Sequence, residues 1–109
     1  MHPLHLVAYV FGGAFLMNAV PHLVSGAMGR KFPSPFAKPP GKGQSSALVN
    51  VLWGLGNLAI GYLLVCQVGS FDLRDVAQAA ALALGMLPLG LMHALHFGSL
   101  NGGDGPNLA

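Results

Sequence analysis

The chain has 109 residues, of which 53% are hydrophobic and 7% are charged, and its net charge is +2. Soluble domains carry about 25% charged residues, so this composition excludes a soluble globule. It also excludes a disordered chain, which would be polar, and a disulfide scaffold, because Cys66 is the only cysteine. A small integral membrane protein is the class that remains.

Three long stretches without charge predict three membrane-spanning helices. Residues 1–29, 45–71 and 76–103 contain no Asp, Glu, Lys or Arg. Each stretch exceeds the ~20 apolar residues with which a helix crosses a bilayer. The sequence therefore predicts one all-α domain, an integral membrane bundle of three transmembrane helices at about 5–28, 46–69 and 75–100.

The first helix resembles a signal peptide only in its position. No cationic residue precedes it, and its apolar stretch is too long, so we expect a retained anchor. Four of the five basic residues follow it, in the loop 29–45. The positive-inside rule places that loop in the cytoplasm, so the N-terminus is expected outside and the C-terminus in the cytoplasm.

The loop 29–45 is rich in proline, which disfavours a helix and favours extended polyproline geometry. Phe32 and Phe36 lie among its cations, as in a segment that follows the lipid headgroups. The loop is either a stiff interfacial connector or a lid over a site in the inner leaflet. Ser45 and Ser46 are placed to cap the second helix.

The third helix has start and stop signals of its own. Asp72 and Asp75 precede it and can cap its N-terminus. Gly102 and Gly103 end the helical run. The tail 101–109 is expected to be flexible.

Polar residues recur at helical spacing on each predicted span, so each helix has one polar face. At ~1.5 Å of rise per residue, these residues all fall in the inner leaflet. Polar side chains are costly in hydrocarbon unless they have partners, so they are the candidate site residues. They are Asn18, His22, Asn50, Trp53, Asn57, His93 and His96.

Four interpretations of this cluster stay open. It could be interhelical hydrogen bonding that fixes the bundle, or a pocket for the polar head of a lipid-like or quinone-like ligand. His22, His93 and His96 could instead hold Zn²⁺ or copper. Haem could be bound axially by His22 together with His93 or His96. The spans contain no Asp or Glu, the usual partners of ligating histidines, which disfavours the metal.

Stripes of small residues predict close helix contacts. Ala77, Ala81 and Gly85 recur every four residues, and Gly54 and Gly61 lie on the polar face of the second helix. We expect the lipid bilayer and a homo-oligomer or larger membrane complex as partners, and no nucleic acid. A bundle of three helices is too thin to enclose a pore, so a transporter or channel would need an oligomer.

The chain also resembles a known family. The resemblance rests on Asn18-Ala19-Val20-Pro21-His22 and Gly26, continues through Phe32-Pro33-Ser34-Pro35-Phe36, Pro39-Pro40-Gly41 and Ser45-Ser46, and ends at Asn50-Val51-Leu52-Trp53-Gly54. These residues are similar to those of a family of short, uncharacterised bacterial inner-membrane proteins. The resemblance covers roughly residues 1–100. It implies a bacterial inner membrane and carries over no activity.

The sequence thus favours a small non-enzymatic inner-membrane protein that self-associates or serves as a subunit. Its His/Asn cluster would fix the bundle and could bind a small ligand. The alternatives are a haem- or metal-binding protein and an oligomeric transporter or channel.

Overall fold

The computed structural model describes residues 2–103, which form three helices and two short strands. In chain order these elements are α1 (Pro3–Ala27), β1 (Phe32–Pro33), β2 (Gln44–Ser45), α2 (Ala47–Cys66) and α3 (Val76–Asn101). Each helix is long and apolar enough to cross a membrane. The predicted class, an all-α bundle with three candidate membrane spans, is confirmed.

The helix boundaries follow from local capping. Ser46 Oγ accepts a hydrogen bond from the Val49 amide and caps α2, as predicted. Asp75 caps α3 by accepting from the Gln78 amide, whereas Asp72 instead accepts from the Arg74 amide. Of the two predicted caps, Asp75 is therefore the one that α3 uses.

The sequence predicted the C-terminal end of α3 correctly but placed the end of α2 too far along the chain. Gly102 ends α3 in the left-handed conformation, with φ 81°, as expected. α2 ends at Cys66 rather than near residue 69, because the chain turns at Gly69, where φ is 61°. The predicted flexible tail falls mainly on residues 104–109, which lie outside the described residues.

α1 is the central helix. It packs against both α2 and α3, whereas α2 and α3 scarcely touch each other in the described part of the chain. Glycines allow these close approaches: a Cβ on Gly12 would lie 2.5 Å from Val65 Cγ2, and one on Gly85 would lie 1.7 Å from the Val10 carbonyl oxygen. The small residues that predicted close helix contacts thus largely make them within this chain.

The long loop between α1 and α2 is a compact hairpin rather than an extended connector. β1 and β2 pair antiparallel, with Phe32 opposite Ser45. Ser34 organises the turn, since its Oγ lies 2.5 Å from Ser45 Oγ and its carbonyl accepts from the Gly41 amide. Ser34 is buried, and the hairpin folds back over the end of the bundle.

The opposite end of the bundle is closed by an aromatic contact. Tyr9 is fully buried, and its hydroxyl donates to the Val68 carbonyl at 2.8 Å. Its ring meets Phe71 edge to face, with ring centroids 4.9 Å apart. This contact holds the short loop between α2 and α3 against the start of α1.

Candidate functional site

The polar faces of the three helices meet beneath the long loop. One chain of hydrogen bonds crosses all three helices: His93 Nε2 bonds to Asn18 Oδ1 at 2.9 Å, and Asn18 Nδ2 donates to Asn57 Oδ1 at 2.9 Å. Asn57 Nδ2 then donates to the Trp53 carbonyl at 2.8 Å. Since Asn57 is almost fully buried, this chain links α3, α1 and α2 in the interior of the bundle.

A second set of bonds joins α1, α2 and the loop. His22 Nδ1 lies 2.7 Å from Asn50 Oδ1. Asn50 Nδ2 lies 2.9, 3.2 and 3.0 Å from the carbonyl oxygens of Phe32, Ser45 and Ser46, which share its two N–H groups. Asn50 is completely buried, so one amide holds both strands of the hairpin to the helices.

A third bond ties the loop to α3. His96 Nε2 donates to the Gly41 carbonyl at 2.7 Å. Gly41 has a φ of 73°, a left-handed backbone conformation that favours glycine, and it lies in the turn of the loop. The loop is therefore held from α2 through Asn50 and from α3 through His96.

These networks fix which nitrogen of each histidine carries a proton. A backbone carbonyl can only accept, so the amide nitrogens of Asn50 and Asn57 must face their carbonyl partners. The oxygen of Asn50 then accepts from His22 Nδ1–H. The oxygen of Asn57 accepts from the amide nitrogen of Asn18. The oxygen of Asn18 therefore faces His93 and accepts from its Nε2–H.

The remaining nitrogen of each ring is an acceptor. The helices contain no Asp or Glu, and an unpaired charge is costly in a bilayer, so we treat the rings as neutral. A neutral imidazole has one N–H and one lone pair. The free lone pairs are therefore on His22 Nε2, His93 Nδ1 and His96 Nδ1.

The three histidines border one cavity of about 350 Å³, a volume within the range of small-molecule sites. Its walls come from all three helices and from the loop, and they are predominantly apolar. The lining residues are Asn18, His22, Pro33, Ser34, Pro35, Gly41, Trp53, Met92, His93, His96 and Phe97.

Of the seven predicted site residues, the structure brings five to the cavity wall. These are Asn18, His22, Trp53, His93 and His96. Asn50 and Asn57 lie behind the wall, where Asn50 holds His22 and Asn57 holds Asn18 in place through the bonds described above. The polar faces predicted from helical spacing thus converge, and two of their members serve as supports.

Sequence reasoning missed Phe97. Its ring is the centre of an aromatic cluster, with ring centroids 5.2 Å from His93, 5.0 Å from His96 and 6.4 Å from His22. The ring of Phe32 lies 4.6 Å away on the other side. Position 97 is four residues from position 93, so the helical spacing that selected His93 and His96 also included Phe97.

The loop residues of the wall were missed as well. Pro33, Ser34, Pro35 and Gly41 line the cavity, and the ring of Phe36 meets Trp53 edge to face at 5.2 Å. The loop therefore covers the cavity, and the two interpretations of its role, connector and lid, both stay predictions. The hairpin pairing that turns these residues inward depends on contacts between positions far apart in the sequence.

Trp53 has an unusual environment. Its Nε1 is buried and has no hydrogen-bond partner among residues 2–103. A buried donor without a partner costs about 1–3 kcal/mol. Trp53 is also the only tryptophan of the chain, so its emission reports on the cavity.

The metal hypothesis gains no support from the geometry. Within the described residues, no group of three His, Cys, Asp or Glu side chains is placed to hold a metal ion. The histidines that were predicted as ligands share a cavity, and Phe97 lies among them.

No protein-family model, curated protein or solved structure matches this chain. A function is therefore inferred from the cavity itself.

Proposed function

We propose that this chain is a small membrane-embedded binding protein whose cavity beneath the long loop holds an amphipathic small molecule. The observation that carries the proposal is a cavity of about 350 Å³ with apolar walls and three imidazole rings. Binding sites of this kind are mostly apolar and have a few convergent polar groups. A cluster that served only to fix the bundle would need no such space.

The proposal includes a place in the cell. The similarity to bacterial inner-membrane proteins and the four basic residues in the long loop support an inner membrane, with the loop on the cytoplasmic side. The cavity then lies in the inner leaflet and receives its ligand from the lipid phase or the headgroup region. Self-association or service as a subunit is a separate hypothesis that this site does not require.

Binding can be measured through Trp53. Amphipathic aromatic compounds, titrated into purified protein in lipid nanodiscs, should change the emission of this single tryptophan saturably. Protein extracted gently from its own membrane should also carry a small molecule that native mass spectrometry detects. If no compound gives a saturable change and the protein carries no ligand, the cluster is structural and the proposal is wrong.

A matched pair of variants locates the binding. Met92 and the neighbouring Leu91 are both exposed on the surface of α3, but only Met92 contributes to the cavity wall. Met92→Phe should weaken binding because it narrows the cavity, whereas Leu91→Phe should leave it unchanged. Equal effects of the two substitutions would place the bound molecule elsewhere.

Haem is a second candidate, favoured by one observation. His22, His93 and His96 each direct one ring nitrogen at an oxygen, which is how ligating histidines are usually held. His22 with His93 or His96 would then supply the axial nitrogens. The absorption spectrum of the purified protein decides this, since bound haem gives an intense Soret band.

A further inference from the structure

We infer that the cavity selects aromatic alcohols, that is phenols and hydroquinones, over their methyl ethers and over quinones. The inference rests on the proposed function and names the chemical class of its ligand. It is carried by the hydrogen-bonding character of the wall, by the aromatic rings around the cavity, and by a second hollow beside it.

The cavity offers acceptors. Among the buried side-chain nitrogen and oxygen atoms of residues 2–103, only Trp53 Nε1 lacks a partner. The unbonded nitrogens of His22, His93 and His96 are therefore not sealed in the protein interior, and the space that the three rings share is this cavity. A ligand that occupies it meets three lone pairs.

Donors are scarce on the same wall, because the unpartnered Nε1 of Trp53 is itself buried and does not open onto the cavity. The ring N–H groups of the three histidines are used by Asn50, Asn18 and the Gly41 carbonyl. The amide of Asn18 is used by Asn57, and Ser34 Oγ is paired with Ser45 Oγ. A ligand oxygen that can only accept, as in an ether or a quinone, would leave these lone pairs without partners. A hydroxyl group satisfies one of them.

The shape and lining of the cavity favour an aromatic ring. Phe97 and Trp53 border it, together with Met92 and two prolines. Aromatic rings pack edge to face on such walls, and the thioether of methionine adds a favourable contact with a ring. An ammonium group would also donate, but the helices have no acidic residue to balance its charge.

A neighbouring hollow has room for an apolar tail. It measures about 240 Å³ and is lined by Ala14, Phe15, Asn18, Asn57 and Leu89. Asn18 borders both spaces, so the hollow adjoins the cavity. α2 and α3 scarcely touch each other, so direct packing between them does not close the hollow. We infer that a phenolic head occupies the cavity and an alkyl tail the hollow.

The test compares para-hexylphenol with para-hexylanisole, in which a methyl group replaces the hydroxyl proton. Binding to the protein in nanodiscs is measured by calorimetry and by Trp53 emission, and empty nanodiscs correct for partition into lipid. We expect the phenol to bind at least about tenfold more tightly, the effect of one hydrogen bond. The matched hydroquinone and quinone with the same tail should show the same order.

Two variants remove acceptors and keep the supporting bonds. The amide nitrogen of asparagine overlies imidazole Nδ1, and that of glutamine overlies Nε2. His22→Asn therefore keeps the donor to Asn50, and His93→Gln keeps the donor to Asn18, but neither places an acceptor at the position of the other ring nitrogen. Each substitution should reduce the ratio of phenol affinity to anisole affinity measured on the same variant, and the double variant should reduce this ratio further.

The outcomes of these binding experiments separate the ligand class from the proposed function. Equal saturable binding of phenol and anisole overturns the ligand class but supports the proposed function. If none of the four compounds binds saturably to the folded protein, the ligand class is overturned, and the proposed function is overturned with it if the extracted protein also carries no small molecule. A preference for the phenol that is unchanged in the double variant overturns the assignment of His22 and His93 as acceptors. The comparison of compounds on the unaltered protein stands even if one variant fails to fold.

Discussion

Asn50 is the residue on which the long loop most depends. Its side chain is fully buried and bonds to His22 and to carbonyls from both strands of the hairpin. No other amide of the described residues joins a helix, a histidine and the loop in this way. Asn50 thus has two effects. It holds the hairpin over the cavity, and it determines which nitrogen of His22 carries the proton.

Replacing Asn50 by Leu should lower the free energy of unfolding by about 1–3 kcal/mol, because the partners of the amide would stay buried without hydrogen bonds. Gln67→Leu is the matched control, since Gln67 makes one exposed bond, to the hydroxyl of Tyr62, at the other end of the bundle. The control should change stability by less than about 0.5 kcal/mol. Unfolding by a denaturing detergent measures both, and equal values would contradict the role of Asn50.

Helical spacing was enough to find the seven polar residues but could not assign their roles. Asn18, His22, His93 and His96 recur at intervals that predict one face per helix, and these faces meet. Whether an asparagine borders the cavity or supports it depends on the rotation of each helix against its neighbours. That rotation is set by packing, which a single sequence does not specify. For this reason Asn50 and Asn57 could not be distinguished from Asn18.

At the scale of elements, the fold depends on how closely α1 approaches its two neighbours. Gly85 marks the tightest point on α3, where an added Cβ would lie 1.7 Å from the Val10 carbonyl oxygen. Such contact with backbone cannot be relieved by a change of rotamer, so the helices would have to separate. Because His93 lies two turns further along α3, a separation there would also change the width of the cavity.

Gly85→Ala should therefore destabilise the bundle by about 1–3 kcal/mol, the usual cost of overpacking. Gly56→Ala is the control, because a Cβ at Gly56 would meet nothing within 4 Å. In that variant stability should be unchanged or slightly higher, since alanine favours the helix. Thermal unfolding followed by circular dichroism compares the two. Similar melting temperatures would show that α1 and α3 are not held as closely as described.

The three helices were predictable because charge and apolarity are segregated along the chain, and Ser46, Asp75 and Gly102 mark their ends. The hairpin was not predictable from the same signals. Its strands have two residues each, and it is held by Ser34 and Asn50 rather than by a periodic pattern. Four prolines suggested an extended segment, and tertiary contacts folded it back.

At the scale of the whole molecule, the proposed orientation in the membrane can be tested with substitutions that leave every charged residue in place. Gln44 lies on the long loop and Leu73 on the loop at the opposite end, and both are exposed. In a Cys66→Ala background, a cysteine at Leu73 should react with an impermeant thiol reagent in intact cells, whereas one at Gln44 should react only after lysis. The reverse pattern would place the cavity in the outer leaflet.

The central position of α1 also sets an order of assembly. Synthesis proceeds from the N-terminus, so α1, the hairpin and α2 can join before α3 has emerged. Asn50 can already hold the hairpin in that intermediate, with His22 beside it. His93, His96 and Phe97 all arrive with α3, and the bond from His96 to Gly41 fastens the loop last. The cavity is thus the final part of the protein to form, because its wall stays incomplete until α3 has joined the other two helices.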